Sequence, residues 1–169
     1  MASHGRLQRV LRHLFIPDWV AKRPFTRDVL LRIKDAVHAS ETRHDGELRV
    51  VVEASLPLAP VLRGLSARHR AHDVFAQQRV WDTEHDCGVL IYLQLIDRRV
   101  EIVADRGIAR RVEQHEWDAI CRGMESAFRE GAYQQGVLAA IGTITALLAR
   151  HFPRCGNHPN ELPDAPTVL

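Results

Sequence analysis

Residues 88–105 constrain the fold more than any other stretch of the chain. Gly88-Val89-Leu90-Ile91-Tyr92-Leu93-Gln94-Leu95-Ile96 and Arg99-Val100-Glu101-Ile102-Val103-Ala104-Asp105 are β-rich runs separated only by Asp97-Arg98. A connection that short joins antiparallel strands, because a parallel pair needs a crossover of about a dozen residues. A two-residue turn sets Ile96 opposite Arg99. Val89, Ile91, Leu93, Leu95, Val100, Ile102 and Ala104 then share one apolar face. The other face mixes Leu90, Tyr92 and Val103 with Gln94, Glu101 and Arg99, so helices must cover the first face fully and the second in part.

The flanking pattern supplies the rest. Residues 47–53 alternate Leu48, Val50 and Val52 against Arg49 and Glu53 behind an Asp45-Gly46 turn, which predicts a strand. Pro57 and Pro60 predict a loop, and Ser66 to about Val80 a helix. The first strand therefore reaches the hairpin by a helical crossover and pairs with it in parallel, with a right-handed connection. Thr26 stands as N-cap of a helix from about Arg27 to Thr42, with Val29, Leu30, Ile33 and Val37 on one side. Trp117, Ile120, Cys121, Met124 and Phe128 predict a helix closed by Gly131. Val137, Leu138, Ile141, Ile144 and Leu148 predict another, deep in the core and ended at Phe152-Pro153. The fold class expected is α/β (α+β): a small mixed β-sheet with one antiparallel hairpin, flanked by helices on both faces.

Length and charge set the outer bounds. The 169 residues suit one domain with a real core, and a net charge of +2 makes no whole-chain case for nucleic acid, so none is expected as a partner. Cys87, Cys121 and Cys155 are widely spaced and read as reduced thiols. Neither a signal peptide nor a run of about 18 apolar residues is apparent, which favours a cytoplasmic location. Residues 1–24 form a basic amphipathic arm, 25–153 the domain proper, and 154–169, with three prolines, a mobile C-terminal tail. Within the arm, Leu7, Val10, Leu11 and Leu14 recur at helical spacing between Arg6, Arg9 and Arg12. Such a helix packs on the domain, adsorbs through residues 6–16 to an anionic membrane surface, or binds a protein partner.

No P-loop, G-x-G-x-x-G, G-x-S-x-G or H-E-x-x-H motif occurs. His69 and His72 share a helix face, but Arg68 and Arg70 would repel a cation there. Cys155 and His158 supply only two of the four ligands of a structural zinc site. The acidic residues are more suggestive. The topology carries Glu47, Asp82, Glu84, Asp86 and Asp105 to one end of the sheet, with Trp81, Thr83, Arg106 and Gly107 at its rim. Uncompensated carboxylates attract a cation, an arginine or protons, so Ca²⁺ or Mg²⁺ is the cofactor expected if one binds.

At these residues the sequence resembles the TPM domain family, also labelled TPM phosphatase, and in particular its soluble bacterial branch. The likeness rests on Gly88-Val89-Leu90-Ile91-Tyr92, on Asp97 to Ile108, on Trp117 with Phe128, and on Gly131-x-Tyr-x-x-Gly136. It spans about residues 25–153. Val80-Trp81-Asp82-Thr83-Glu84 also matches, but the Asn-Gly expected next reads Asp86-Cys87-Gly88. The resemblance implies a mixed sheet between helices. It further implies a family whose members are mostly extracytoplasmic and membrane-anchored, with acid phosphatase activity in a plant member linked to photosystem repair and divalent-metal binding in others.

The function expected is a non-catalytic binding or accessory domain of TPM type, with a divalent cation at the acidic cleft and a membrane-linked complex as its setting. The alternative is an acid or metal-assisted phosphatase using Asp82, Glu84 and Asp105, with Arg106 receiving the phosphate.

Overall fold

A computed structural model describes residues 2–156 and 159–169, with side chains from Leu7 onward. The Arg6 side chain and His158 lie outside the described residues. Four strands, β1 (Glu47–Glu53), β2 (Gly88–Gln94), β3 (Arg99–Ala104) and β4 (Thr167–Val168), form one sheet in the order β3-β2-β1-β4. β1 runs parallel to β2 with Glu47 opposite Gly88, and β2 and β3 are the antiparallel hairpin.

The hairpin turn is longer than expected. Gln94, not Ile96, stands opposite Arg99, so Leu95 to Arg98 form a four-residue connection. Arg98 takes a positive φ of 52°. Its N–H donates to the Leu95 carbonyl, and the Asp97 N–H donates to Gln94 Oε1 at 2.7 Å. A register change of two residues preserves the alternation, and each side chain keeps the face predicted for it.

Two apolar layers result. Leu48, Val50, Val52, Val89, Ile91, Leu93, Val100 and Ile102 pack beneath α3 (Arg27–Glu41), α7 (Gln114–Arg129) and α8 (Tyr133–His151). Thr26 caps α3 by accepting the Val29 N–H. The opposite face, Val51, Leu90, Tyr92 and Val103, meets Ala71 and Val74 of α5 (Ala67–Gln77) and Leu162. The proline-bearing loop after β1 contains a short helix, α4 (Leu58–Leu62), and Asp105 caps another, α6 (Arg106–Ala109). At the N-terminus, α1 (Ala2–Phe15) and α2 (Asp18–Lys22) are divided by Pro17.

The expectation of a mobile tail is corrected. Residues 159–169 dock along β1, where β4 pairs with Val51 and Val52. The cause is Arg49, a charged residue in a fully buried strand. Its guanidinium donates to the Pro163 carbonyl at 2.6 Å, the Ala165 carbonyl at 2.8 Å and Thr167 Oγ1. A buried guanidinium needs acceptors, and the proline-rich segment supplies carbonyls that no regular element uses.

Another buried polar chain runs from His44 Nε2 to Ser40 Oγ and on to Thr145 Oγ1, each at 2.7 Å. Burial lowers the His44 pKa to about 4. Cys87 is buried, Cys121 half-buried and Cys155 exposed.

Candidate functional sites at the acidic edge and the N-terminal face

Backbone geometry builds the acidic edge. Gly88 admits no side chain, because a Cβ there would stand 1.9 Å from the Val80 carbonyl oxygen. Asp86, at the position where the resemblance expects Asn, has a φ of 52°, a left-handed conformation that Asp also tolerates.

Each predicted carboxylate reaches this end of the sheet, and most have a separate partner there. Glu47 is buried and accepts the Leu162 N–H at 3.1 Å. Burial raises its pKa, against the lowering by that hydrogen bond. Asp105 spends Oδ1 on the Arg106 N–H at 2.7 Å, while its Oδ2 is buried with no hydrogen-bond partner. Asp86 pairs with Arg106 at 3.2 Å on the surface. Asp82 and Glu84 are exposed, as is Trp81, whereas Thr83 is buried and accepts the Cys87 N–H at 2.9 Å. Gly107 packs against the carbonyls of His85 and Asp86. Among the described residues, no group of three or more His, Cys, Asp or Glu is placed to hold a metal. The edge is an assembly of caps and pairs.

Sequence reasoning missed Glu41 beside this edge. Its Oε1 accepts the Leu48 N–H at 3.0 Å, and Oε2 is buried without a partner. Burial, with Glu47 and Asp164 nearby, pushes its pKa up to about 8. A glutamate at the last position of a helix carries no local sign of burial.

The N-terminal face is organised differently. Arg9 donates through Nε to Asp97 Oδ2 at 2.8 Å and through Nη1 to the Leu65 carbonyl at 2.6 Å. His13, buried, accepts the Leu56 N–H on Nδ1 at 3.0 Å, which leaves the proton on Nε2, 3.2 Å from Asp97 Oδ1. Burial alone would raise the Asp97 pKa, but His13 and Arg9 more than offset it and hold the carboxyl below its ordinary value.

The polar side of α1 is therefore the docked side. On a helical wheel Leu7, Leu11, Leu14 and Phe15 lie opposite Arg9 and His13. They are 61%, 42%, 57% and 71% exposed. Trp19 and Val20 on α2 and Leu58 and Leu62 on the neighbouring α4 are exposed too. Among the described residues, eight of the twelve exposed large hydrophobic residues thus belong to α1, α2 and α4. Trp19, Leu58 and Leu62 escaped the sequence reading because nothing local marks an apolar residue as unpartnered.

An apolar groove of about 740 Å³ lies between α7 and α8, lined by small residues such as Gly123, Ala127, Ala139 and Thr143. Among the described residues no helix is long and apolar enough to cross a membrane.

A mixed four-stranded sheet between helices, with a cap-and-pair edge beside a parallel β1–β2 pair, defines a small α/β sandwich. The family model of the TPM domain matches residues 24–147, and the chain belongs to that family. Among solved structures it is similar to the BA42 protein of the psychrophilic bacterium Bizionia argentinensis. That likeness has 28% identity, covers 85% of this chain and 94% of that one, and has a TM-score of 0.75. The N-terminal domain of a P. gingivalis protein shares the fold at 19% identity, covering 78% of this chain and 82% of that one, with a TM-score of 0.57. No curated protein matches.

Proposed function

We propose that the protein is a non-catalytic binding and accessory domain of TPM type, a cytoplasmic and peripheral member of a membrane-linked assembly, with α1 as its docking element. One observation carries this reading: α1 is held to the domain by its polar side and turns Leu7, Leu11, Leu14 and Phe15 to solvent. A helix recruited only for packing buries its apolar stripe. A contiguous exposed apolar surface marks an interaction site.

Sedimentation with membranes from lysed cells tests it. The full chain should pellet, and a Leu7→Gln/Leu11→Gln/Phe15→Gln variant should stay in the supernatant. Equal partition of the two would end the reading.

A second reading draws on Asp105, whose buried Oδ2 lacks a partner. A Ca²⁺ or Mg²⁺ ion could meet that oxygen together with water. Millimolar metal should then raise the melting temperature of the wild type and leave Asp105→Asn unmoved. No shift in the wild type removes the cation. For the phosphatase alternative, Asp86 already pairs with Arg106, the residue meant to receive phosphate. Turnover of a generic phosphomonoester that is equal in wild type and Asp105→Asn dismisses it.

A further inference from the structure

Beside α1 the chain gathers arginines. A cavity of about 480 Å³ opens between α1, the first turn of α5 and β3, lined by Arg9, Arg12, Arg68 and Arg99 together with Asp97 and Glu101. Arg9 is committed to Asp97 and the Leu65 carbonyl. Arg68 gives Nη1 to the Ile102 carbonyl and stands 3.6 Å from Glu101. Arg99 stands 3.5 Å from Glu125, which is outside this cavity. Among the described residues no hydrogen bond or ion pair engages the Arg12 guanidinium, whose backbone carbonyl accepts the Ile16 N–H.

The carboxylates do not balance this charge. Asp97 is matched by Arg9 and His13. Burial raises the Glu101 pKa, although Arg68 opposes the shift. The eleven-residue α5 also presents its N-terminal turn here: Ser66 caps the His69 amide, and Ser66 and Ala67 line the cavity. Guanidinium forks beside the first turn of a helix suit a phosphate oxygen.

We propose that this cavity takes the phosphate of an anionic phospholipid headgroup. The inference rests on the reading of α1 as the docking face, and α1 is also what selects a lipid over a soluble phosphate. Gln8, in the cavity wall, and Phe15, in the exposed stripe, are seven residues apart and fall on nearly the same line of the helix. Arg12 follows Leu11 by one position. A molecule with a phosphate and acyl chains satisfies both surfaces at once. The charge agrees, since residues 1–34 hold eight Lys and Arg against two Asp.

The test is binding of the full chain to vesicles of phosphatidylcholine, with and without phosphatidylglycerol. Wild type should prefer the anionic vesicles. Arg12→Gln, which disturbs no side-chain partner among the described residues, should weaken that binding about fivefold, and Arg12→Gln/Arg68→Gln/Arg99→Gln by about fivefold for each guanidinium lost. Arg43→Gln/Arg110→Gln/Arg129→Gln removes the same charge elsewhere and should do far less. Equal losses from the two triple variants would overturn the cavity and leave the docking face standing. Wild-type binding by Leu11→Gln/Phe15→Gln would instead overturn the docking face. Inorganic phosphate, followed by NMR at the side-chain N–H groups of Arg12, Arg68 and Arg99, distinguishes the source. Saturation by phosphate, combined with vesicle binding indifferent to these arginines, overturns the lipid assignment.

Discussion

The acidic edge and the N-terminal face both concentrate charge, and they handle it in opposite ways. At the edge most carboxylates have a partner within the chain: the Leu162 N–H for Glu47, the Arg106 N–H for Asp105, the Arg106 side chain for Asp86. At the N-terminal face the internal pairings are used to fix a helix with its apolar side outward, and arginines remain in excess. A charge cluster completed by its own chain does structural work, whereas the excess at the N-terminal face, left beside an exposed apolar stripe, is what the proposed docking rests on.

The largest effect that would break this contrast belongs to the edge. Gly88→Ala sets a Cβ against the Val80 carbonyl and should destabilise by more than about 4 kcal/mol, read from denaturant midpoints. A soluble variant of near wild-type stability would mean that the edge is not held by close backbone contact. Next comes the latch. Asp97→Ala leaves Arg9 and His13 without their acceptor and should cost roughly 3 kcal/mol, with faster proteolysis within residues 1–16. The matching change at the edge, Asp86→Asn, tolerates the same backbone conformation and removes only an exposed pair, so it should stay within about 0.5 kcal/mol.

A pH titration sharpens the comparison. Glu41 keeps its proton in the folded state to about pH 8, whereas the unfolded carboxyl loses it near 4.5. Its contribution is present at low pH and lost as pH rises. His44 acts in the reverse sense, with stability lost as pH falls from 6.5 towards 4. The two oppose each other between pH 4.5 and 6.5. From pH 6.5 to 8 only Glu41 acts, and stability should drop by on the order of 2 kcal/mol. Glu41→Gln keeps the acceptor for Leu48 and should flatten that drop; an unchanged slope would contradict the buried, protonated carboxyl. The smallest effect is expected at the N-terminal face, where Leu11→Gln/Phe15→Gln should change stability by less than about 0.5 kcal/mol while abolishing membrane sedimentation.

Much of the scaffold was legible in the sequence because it rests on short-range rules. The bounds of β1, the Thr26 cap and the faces of the hairpin follow from alternation and capping chemistry. The hairpin register did not, because Arg98 adopts a left-handed conformation that a bare dipeptide turn does not announce. The docked C-terminal segment was hidden by distance: the acceptors for Arg49 lie more than a hundred residues further on. For α1 the periodicity located the apolar stripe correctly but carries no information about which side is buried. That was decided by Asp97, which reads locally as a turn residue. At the acidic edge the topology brought the carboxylates to one end of the sheet, but their individual partners are long-range and invisible to spacing.

Burial raises the pKa of the Cys87 thiol and pushes that of Cys121 up to about 12, while Cys155 is exposed beside Asp45 at the start of β1. Asp97 follows the far end of the parallel strand β2, so seven residues of sheet, roughly 20 Å, separate the two sites. A fluorophore attached at Cys155 would ride on the side away from α1, and its distance from an acceptor dye in a bilayer would test the proposed docking through that helix.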